Sequence, residues 1–367
     1  MNTKDFERLL DKYQNKELTS SEEKLLDEWM DTLAESGNSP TWTSIEVHKL
    51  YAQIKPKQTL SLVKIWLSSA AAILILLLGF YLLRDNRFEQ SKDIVMTNIL
   101  PADDKAKLVL ENGKEIYLDE DKEGLTIIDG DVFYTDGSSL LHEESQILQL
   151  SIVVPKGRKY QLTLSDGTKV WINASSTLRY PSKFDKNERI VALDGEAYFE
   201  VAAQYDQQTN TKIPFRVQSA DQIVDVLGTH FNISTYSNDN YIETTLFEGI
   251  VDVSNQFGKT VRLKPSQQSK VIQGKSNIAV VGADLESVSS WRNDLFVFNN
   301  SSLKEVLNEV ERWYDVKVNI KEWPKDRFYG EINRNVPLSE VINMIEKSSN
   351  LKFKLISEGN ERRLFMQ

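Results

Sequence analysis

The 367-residue sequence contains no cysteine and only three histidines, which are His48, His142 and His230. Without cysteine the chain can form neither disulfides nor thiolate zinc sites. The three histidines lie far apart in the sequence and do not indicate a histidine metal site. The sequence therefore predicts no metal and no cofactor. The absence of cysteine fits either side of a membrane and says nothing about compartment.

The chain also lacks an excess of positive charge. Its formal net charge is −10 at pH 7. Non-specific binding to DNA or RNA requires clustered Lys and Arg to neutralise phosphates. We therefore expect no direct contact with nucleic acid.

Long apolar runs are also absent, apart from residues 65–83, "IWLSSAAAILILLLGFYLL", which contain no charge. As an α-helix this run would extend about 28 Å, close to the thickness of a bilayer's hydrocarbon core. Trp66 and Tyr81 lie near its ends, as in interfacial aromatic belts, and Lys64 and Arg84 flank it. A buried helix of a soluble core would be the alternative, but such a helix usually keeps a polar stripe. The run predicts a single transmembrane helix.

The position of this run gives the expected topology. The first residues, "MNTKDFERLL", are amphipathic and of mixed charge, unlike a cleaved signal peptide. Within 20 residues of the run, four basic residues precede it and three follow it. Those before it are Lys49, Lys55, Lys57 and Lys64, and those after it are Arg84, Arg87 and Lys92. This favours a cytoplasmic N-terminus.

Residues 1–58 are predicted to form an all-α bundle of three helices. Apolar residues recur at helical spacing in three stretches, which are Phe6, Leu9, Leu10 and Tyr13; Leu25, Leu26, Trp29 and Leu33; and Val47, Leu50, Tyr51 and Ile54. Ser20 and Glu23 fit a capping box at the start of the second helix. Such a small bundle has a thin core, so part of one stripe could remain exposed as a binding face.

Residues 94–283 are predicted to be all-β, either a sandwich or a strand solenoid. Alternating apolar residues surround four turn signals, which are Asn112-Gly113, Asp129-Gly130, Asp166-Gly167 and Asp194-Gly195. The carboxylates Asp166 and Asp194 are turn residues, and no His or Cys lies close in sequence to them or to Glu196 and Glu200 that would suggest catalysis. We therefore predict that the chain is not an enzyme.

Residues 293–367 contain an internal repeat with an offset of 35 residues. Asn300 matches Asn335 and Leu303 matches Leu338, and the apolar residues between and after them match as well. Each copy reads strand, helix, strand, so the segment predicts a doubled βαβ domain of the α+β class, with two helices on one sheet. Ser302 and Glu305 fit a capping box, and Pro337 fits the first helical position.

Several motifs of the chain resemble those of FecR-family transmembrane anti-sigma factors of the Bacteroidetes type. In the middle region these are "VPKGRKYQLTLSDGTKVWINASSTLRYP" (154–181), "LDGEAYFEVA" (193–202), "PFRV" (214–217), "VLGTHFNISTY" (226–236) and "TLFEGIVDVS" (245–254). The segment "WRNDLFVFNNSSLKEVLNEVERWYDVKV" (291–318) resembles the family's C-terminal domain, which is similar to the short N-terminal domain of secretins and TonB-dependent transducers. The segment "YQNKELTSSEEKLLDEWM" (13–30) is similar to the cytoplasmic anti-sigma segment.

The resemblance implies a signal transducer in the inner membrane. Its N-terminal bundle would sequester an extracytoplasmic-function sigma factor, and its periplasmic part would sense the signalling domain of a ligand-loaded TonB-dependent outer-membrane transporter. Periplasmic and intramembrane proteases would then release the sigma factor. We expect sigma-factor contact around Leu9, Tyr13, Leu26 and Trp29. We expect transporter contact on an edge strand around Phe296, Val297 and Phe298, because an edge strand can pair with a partner's strand.

The resemblance also marks the Gly228–Thr229 bond, since some family members split spontaneously at a Gly-Thr peptide in this domain. The Thr229 hydroxyl would attack the Gly228 carbonyl, which requires a strained turn. The alternative is that Gly-Thr is only a bend before a strand.

Two other functions fit parts of the sequence. A membrane-anchored periplasmic carbohydrate-active enzyme would require two carboxylates facing each other across a cleft. A scaffold of an export machine would explain the secretin-like tail but would leave residues 1–64 without a role.

Overall fold

The computed structural model describes residues 3–15, 17–36, 92–93, 99–142, 147–219, 221–358 and 361–367. The chain divides into two compact units, Met1–Phe88 and Glu89–Gln367. The predicted third N-terminal helix and the predicted transmembrane run, residues 65–83, lie outside the described residues. Among the described residues, no helix is long and apolar enough to cross a membrane.

The first unit contains helices α1 (Thr3–Gln14) and α2 (Ser20–Ser36). The predicted capping box at Ser20 and Glu23 is wrong by one residue. The backbone N–H and the hydroxyl of Thr19 both donate to the Glu22 carboxylate, at 3.0 and 2.8 Å, so Thr19 caps α2. Glu22 is the third residue of α2, and it also pairs with Lys12 of α1 at 2.7 Å.

Two sheets form the middle of the second unit, and we call residues 107–282 the β domain. The first sheet has nine strands in the order β18 (Thr260–Leu263), β17 (Val251–Asn255), β14 (Gln222–Val226), β13 (Phe215–Ser219), β11 (Arg189–Asp194), β10 (Ser176–Pro181), β7 (Gln149–Val154), β2 (Lys107–Leu110) and β3 (Glu115–Tyr117).

The second sheet has ten strands. Their order is β20 (Ile278–Gly282), β19 (Gln267–Val271), β16 (Ile242–Glu248), β15 (His230–Ser234), β12 (Glu196–Glu200), β9 (Lys169–Ile172), β8 (Tyr160–Thr163), β4 (Gly124–Ile128), β5 (Asp131–Tyr134) and β6 (Ser139–Leu141).

One apolar core lies between the two sheets, because alternate residues of each strand point inward. Leu162, Val170 and Phe199 come from one sheet and Ile152 and Phe215 from the other, and all five are fully buried. The chain passes back and forth between the sheets while advancing along them, so the strand order nearly follows the sequence. The fold thus combines the predicted sandwich with solenoid-like winding.

Three of the four predicted hairpins are confirmed. Antiparallel pairs β2–β3, β4–β5 and β8–β9 flank the Asn-Gly and Asp-Gly turns at 112–113, 129–130 and 166–167. The prediction at Asp194-Gly195 is wrong, because β11 and β12 lie in different sheets. Gly195 has φ +100, and a Cβ there would lie 2.3 Å from Ser176 Oγ. The residue is a sharp corner between the sheets, which only glycine can form.

The C-terminal domain, residues 295–367, has the predicted α+β class and contains two helices and two sheets. The helices α4 (Leu303–Trp313) and α5 (Leu338–Ser348) begin 35 residues apart. One sheet pairs β21 (Leu295–Ser302) with β23 (Arg327–Asn333), and the other has the order β1 (Lys92–Asp93), β24 (Phe353–Glu358), β25 (Glu361–Met366), β22 (Lys317–Asn319).

Two details of the prediction for this domain are wrong. The helices do not share a single sheet, because the first strands of the two repeats pair with each other and the later strands form a second sheet with β1 and β25. Pro337 precedes α5 as its N-cap instead of occupying the first helical position. The capping box of Ser302 and Glu305 on α4 is confirmed.

Residues 283–294 connect the two domains. This connector contains a short helix, α3 (Leu285–Ser289), and a 3₁₀ turn (Ser290–Asn293). Asp284 caps α3 by accepting from the Ser287 backbone N–H at 3.2 Å.

Candidate functional site: the interface between the β domain and the C-terminal domain

The C-terminal end of α4 contacts the β domain through its own backbone. The carbonyls of the last helical turn have no partner inside a helix. Here the Arg312 carbonyl accepts from the Gly157 N–H of the β domain at 3.1 Å. The Trp313 carbonyl accepts at 3.0 Å from the N–H of Ala102, which lies in the segment just before the β domain. Gly157 has φ +72, and a Cβ there would lie 2.2 Å from the Ala102 carbonyl oxygen. Glycine is therefore required where the two domains meet.

Arg334 is the central side chain of the interface, and it is 4% exposed. Its guanidinium donates to Asn173 Oδ1 of the β domain at 3.2 Å, and to Glu309 Oε2 and the Leu295 carbonyl of the C-terminal domain at 3.0 and 3.1 Å. The guanidinium also lies 4.5 Å from the centre of the Phe296 ring. Burial lowers the pKa of Arg334, against the attraction of the neighbouring carboxylates.

Arg312 makes a second polar contact between the domains. Its guanidinium lies 4.1 Å from the centre of the Tyr236 ring and 3.3 Å from the Asp239 carboxylate. Asn308, one turn earlier on α4, donates to the same carboxylate at 2.8 Å. Tyr236 in turn donates to the Ala174 carbonyl at 2.7 Å. One face of α4 thus carries two polar side chains, Asn308 and Arg312, into the β domain.

Glu196 lies on the β-domain side of the interface. Its two carboxylate oxygens accept from the side-chain amides of Asn232 and Asn173, at 2.9 and 2.7 Å. Burial raises the pKa of Glu196 to about 7, although these hydrogen bonds oppose the shift. Asn232 Oδ1 is buried without a hydrogen-bond partner among the described residues. If the Asn232 amide is turned over, that oxygen accepts the proton of a neutral Glu196 carboxyl group.

The connector is held on the outer face of the ten-stranded sheet. The Arg292 guanidinium lies 3.8 Å from the centre of the Tyr198 ring and 4.8 Å from that of Trp171. Lys159 Nζ donates to the Arg292 carbonyl at 2.5 Å and pairs with Asp294 at 2.8 Å. Cation–π contacts of this kind add to apolar burial when the cation is partly desolvated. The two domains are therefore joined both by the connector and by the polar contacts of Arg334 and Arg312.

Sequence reasoning missed this interface. Asn173, Glu196, Glu309, Arg312 and Arg334 are separated by up to 161 positions, and no local pattern links them. The available signal was the presence of polar residues in strands whose apolar and polar residues otherwise alternate. A polar group that is buried needs a hydrogen-bond partner, so such residues indicate a contact with another part of the chain. Among the described residues, no cluster of His, Cys, Asp and Glu could hold a metal ion.

The predicted self-cleavage bond lies at a crowded corner. Gly228 has φ +138, and Thr229 is 3% exposed. The Thr229 hydroxyl donates to the Ile250 carbonyl at 3.0 Å. Gly249 has φ +91, and a Cβ there would lie 2.8 Å from Thr229 Oγ1 and 3.0 Å from the Gly228 carbonyl oxygen. The two positive-φ glycines thus hold the Gly228–Thr229 peptide tightly.

The residues predicted to contact the transporter lie on β21. Phe296 and Phe298 are buried in the core of the C-terminal domain, whereas Val297 is half-buried. β21 pairs with β23 along one side, and no further strand pairs with it among the described residues. A partner strand at this edge would meet its backbone and Val297, not the two aromatic rings.

The predicted sigma-factor residues lie in the first unit, on α1 and α2. Leu26 is buried, at 2% exposed, while Leu9, Tyr13 and Trp29 are half-buried. Leu25, beside Leu26, is 55% exposed. The largest apolar exposure among these described helical residues is therefore at Leu25.

The second unit thus consists of a two-sheet β domain joined through a polar interface to a doubled βαβ domain. The FecR protein family matches residues 151–252, and the family described as FecR, C-terminal matches residues 295–362. The chain therefore carries a region similar to FecR proteins and a region similar to the FecR C-terminal domain. This family is not enzymatic.

Two crystal structures of a candidate anti-sigma factor from Parabacteroides distasonis ATCC 8503, at 1.65 and 2.50 Å resolution, are similar to this chain. Both are 29% identical in sequence, with TM-scores of 0.52 and 0.51. The match covers 59% of this chain and 98% and 97% of the two Parabacteroides chains. No curated protein matches the chain.

Proposed function

We propose that this chain is a transmembrane anti-sigma factor. The single observation that carries the proposal is the match of both FecR regions together with the similarity to the Parabacteroides candidate anti-sigma factor. Residues 1–58 form a cytoplasmic all-α domain that binds an extracytoplasmic-function sigma factor. Residues 65–83 form a single transmembrane helix in the inner membrane, and the rest of the chain is periplasmic.

The periplasmic part senses the signalling domain of a TonB-dependent outer-membrane transporter. Ligand loading changes the contacts that the transporter makes with this part, and that difference in binding shifts the anti-sigma factor towards a state that proteases can cleave. Periplasmic and intramembrane proteases then release the sigma factor. The signalling domain docks on an edge strand of the C-terminal domain, for which β21 around Val297 is one candidate.

Sigma-factor binding is tested by co-purification of the full chain with an extracytoplasmic-function sigma factor from the same organism. Leu25 and Trp29 lie on the exposed and half-exposed part of α2, and Leu9 and Tyr13 lie on α1. We expect Leu25→Asp and Trp29→Asp to abolish co-purification while α2 remains helical by circular dichroism. Asp31→Lys changes charge on the same helix and serves as the control. Retained binding in both variants would remove this face from the site.

Deletion of residues 1–64, followed by measurement of sigma-dependent transcription, tests the proposed function as a whole. Deleting residues 1–64 from a regulator abolishes control of sigma-dependent transcription, whereas the same deletion in an export scaffold impairs assembly and leaves transcription unchanged. Transcription that does not depend on residues 1–64 would overturn the proposal.

We also propose that the Gly228–Thr229 bond cleaves itself. The Thr229 hydroxyl attacks the Gly228 carbonyl carbon, the peptide C–N bond breaks, and the hydroxyl proton passes to the Thr229 nitrogen. Water then hydrolyses the resulting ester to a Gly228 carboxylate and a free Thr229 hydroxyl. The observation that supports it is the crowded, positive-φ geometry around this peptide.

A denaturing gel of the purified chain tests the cleavage. We expect two fragments from the wild type and one full-length band from Thr229→Val, which removes the nucleophile and keeps the side-chain shape. Thr211→Val, at an exposed threonine, is the control and should cleave like the wild type. A single full-length band from the wild type overturns this proposal and leaves the anti-sigma function untouched.

A further inference from the structure

The segment just before the β domain, residues 99–105, is held by the C-terminal domain, and we call it the entry segment. Ile99 is 5% exposed and packs in the apolar core of the C-terminal domain. The next residue, Leu100, is 62% exposed. Ile99 lies sixteen positions after Leu83, the last residue of the predicted membrane run. The C-terminal domain therefore contacts the chain between the membrane run and the β domain.

Two helix ends of the C-terminal domain hold the backbone of the entry segment. The first N–H groups of a helix lack partners within it, and Pro337, the N-cap of α5, makes no side-chain hydrogen bond to them. The Ile99 carbonyl accepts from the Leu338 N–H at 2.8 Å and so supplies an acceptor. At the end of α4, the Trp313 carbonyl accepts from the Ala102 N–H at 3.0 Å. The entry segment thus bridges the start of one helix and the end of the other.

While Ile99 is held, the entry segment offers little free chain to a protease. A protease binds several consecutive residues in extended form, which requires that stretch to leave the fold. Between the hydrogen-bonded Ala102 and the buried Ala106 lie three exposed residues, 103–105. Release of Ile99 and Ala102 lengthens the accessible stretch to the seven residues 99–105. The contacts of Ile99 therefore control whether this part of the chain can be cleaved.

We propose that the entry segment is the first cleavage site in sigma-factor release, and that the C-terminal domain protects this site by holding Ile99. The inference rests on the proposed function. Ile99 packs in the same apolar core as Phe296 and Phe298 of β21. A partner that binds the C-terminal domain better after Ile99 has left this core shifts the population towards the cleavable state. Water then hydrolyses one peptide bond in the protease, leaving a carboxylate on the membrane side and an amine on the β-domain side.

Limited subtilisin digestion of the full chain in detergent tests the protection. Subtilisin cleaves with broad specificity, and cuts within residues 99–105 are mapped by mass spectrometry. Ile99→Ala removes most of a buried side chain and should raise the rate of cutting there at least about tenfold. Leu100→Ala, at the exposed neighbour, is the matched control and should be cut at the wild-type rate. Equal rates in the two variants would overturn the protective role of Ile99.

A second variant loosens the entry segment without changing the apolar core of the C-terminal domain. Gly157 of the β domain has φ +72, and a Cβ there would lie 2.2 Å from the Ala102 carbonyl oxygen, so Gly157→Ala displaces the segment. Gly113→Ala is the matched control, since Gly113 has φ +81 but open space around its Cβ position. We expect faster cutting within residues 99–105 in Gly157→Ala and the wild-type rate in Gly113→Ala. Wild-type rates in both Gly157→Ala and Ile99→Ala overturn the proposal.

The pattern of cuts distinguishes release of the entry segment from unfolding of the domain. Release of Ile99 leaves α4 and α5 folded, so both helices should stay uncut in Ile99→Ala while the entry segment is cut. Ile99→Val keeps most of the side chain and should restore the protection. Cuts in both helices at the same rate as in the entry segment would show that the whole domain unfolds, which overturns a separate release of Ile99.

The role in signalling is tested in cells in which the loaded transporter triggers sigma release from the wild type. Ile99→Ala and Gly157→Ala should raise sigma-dependent transcription without ligand, whereas Leu100→Ala and Gly113→Ala should stay at the uninduced level. Stimulated wild-type cells should contain fragments that end within residues 99–105. Induced transcription without such fragments would overturn this cleavage site. Failure of the wild type to respond would overturn the proposed function, while the digestion would still decide whether Ile99 protects the entry segment.

Discussion

The guanidinium of Arg334 in the C-terminal domain donates to Asn173 Oδ1 in the β domain over 3.2 Å. The same guanidinium binds Glu309 within its own domain at 3.0 Å. One side chain therefore satisfies polar groups on both sides of the interface. Its removal affects the interface and the C-terminal domain together.

We predict that Arg334→Ala lowers the free energy of unfolding of the C-terminal domain by about 1–3 kcal/mol, because it leaves Glu309, whose side chain is 31% exposed, without its charged partner. The contact with Asn173 is lost as well, so the two domains should separate more easily. Urea unfolding followed by tryptophan fluorescence measures the change, since Trp313 donates to the Arg334 carbonyl at 2.7 Å.

Arg327→Ala is the matched control for this measurement. Arg327 lies on β23 of the same domain and its side chain is 53% exposed. Its loss should change the free energy of unfolding by less than about 0.5 kcal/mol. Equal effects of the two substitutions would show that Arg334 does not stabilise the interface.

We predict that the stability of the folded protein depends on pH through Glu196. Its pKa in the folded protein is raised to about 7 from 4.5, mainly by burial. The folded state thus binds this proton more tightly than the unfolded state does. The resulting stability is fully present below pH 4.5 and is lost as the pH rises towards 7.

We therefore expect Glu196→Gln to be more stable relative to the wild type at pH 8 than at pH 5. The amide mimics the neutral carboxyl group, and its N–H donates to Asn232 Oδ1 once that amide is turned over. Thermal unfolding at both pH values measures the difference. Glu111→Gln, at an exposed turn, should show none. A difference of the opposite sign would mean that Glu196 is held as a carboxylate.

The sequence was sufficient for the local elements and insufficient for the interface. Asn-Gly and Asp-Gly turns, alternating strands and the 35-residue repeat each depend on neighbouring residues, and three of four hairpins and both repeat helices follow from them. Asp194-Gly195 has the same signal, but its outcome depends on Ser176, which is distant in sequence. The pairing of β1 with β24 joins residues about 260 positions apart and has no local signal either.

The sequence alone indicates only that Asp166 belongs to a turn. In the structure its carboxylate also forms an ion pair with Arg189. Arg189 is 2% exposed, and it donates to Asp166 Oδ2 at 2.7 Å and to the Ala202 and Ile213 carbonyls at 2.7 and 2.8 Å. Asp166 also accepts from the backbone N–H and hydroxyl of Thr168, at 2.9 and 2.8 Å. This network joins the two sheets.

We predict that Arg189→Ala lowers the free energy of unfolding of the β domain by about 3–5 kcal/mol, since it leaves the Asp166 carboxylate buried and unpaired. Arg189→Ala combined with Asp166→Ala should lose less than the sum of the two single variants, because the double variant strands no charge. Chemical denaturation of the four proteins completes the cycle. Additive losses would show that the two side chains do not act as a pair.

Substitution of Gly249 measures how tightly the Gly228–Thr229 peptide is packed. Gly249→Ala places a methyl group 2.8 Å from Thr229 Oγ1 at a residue with φ +91, so both contact and conformation are strained. We expect a loss of about 1–3 kcal/mol in the free energy of unfolding. Gly258→Ala is the matched control, since Gly258 has φ +78 but has open space around its Cβ position. The difference between the two variants isolates the contact with Thr229 from the cost of positive φ, and an equal loss would show that the corner yields to the methyl group.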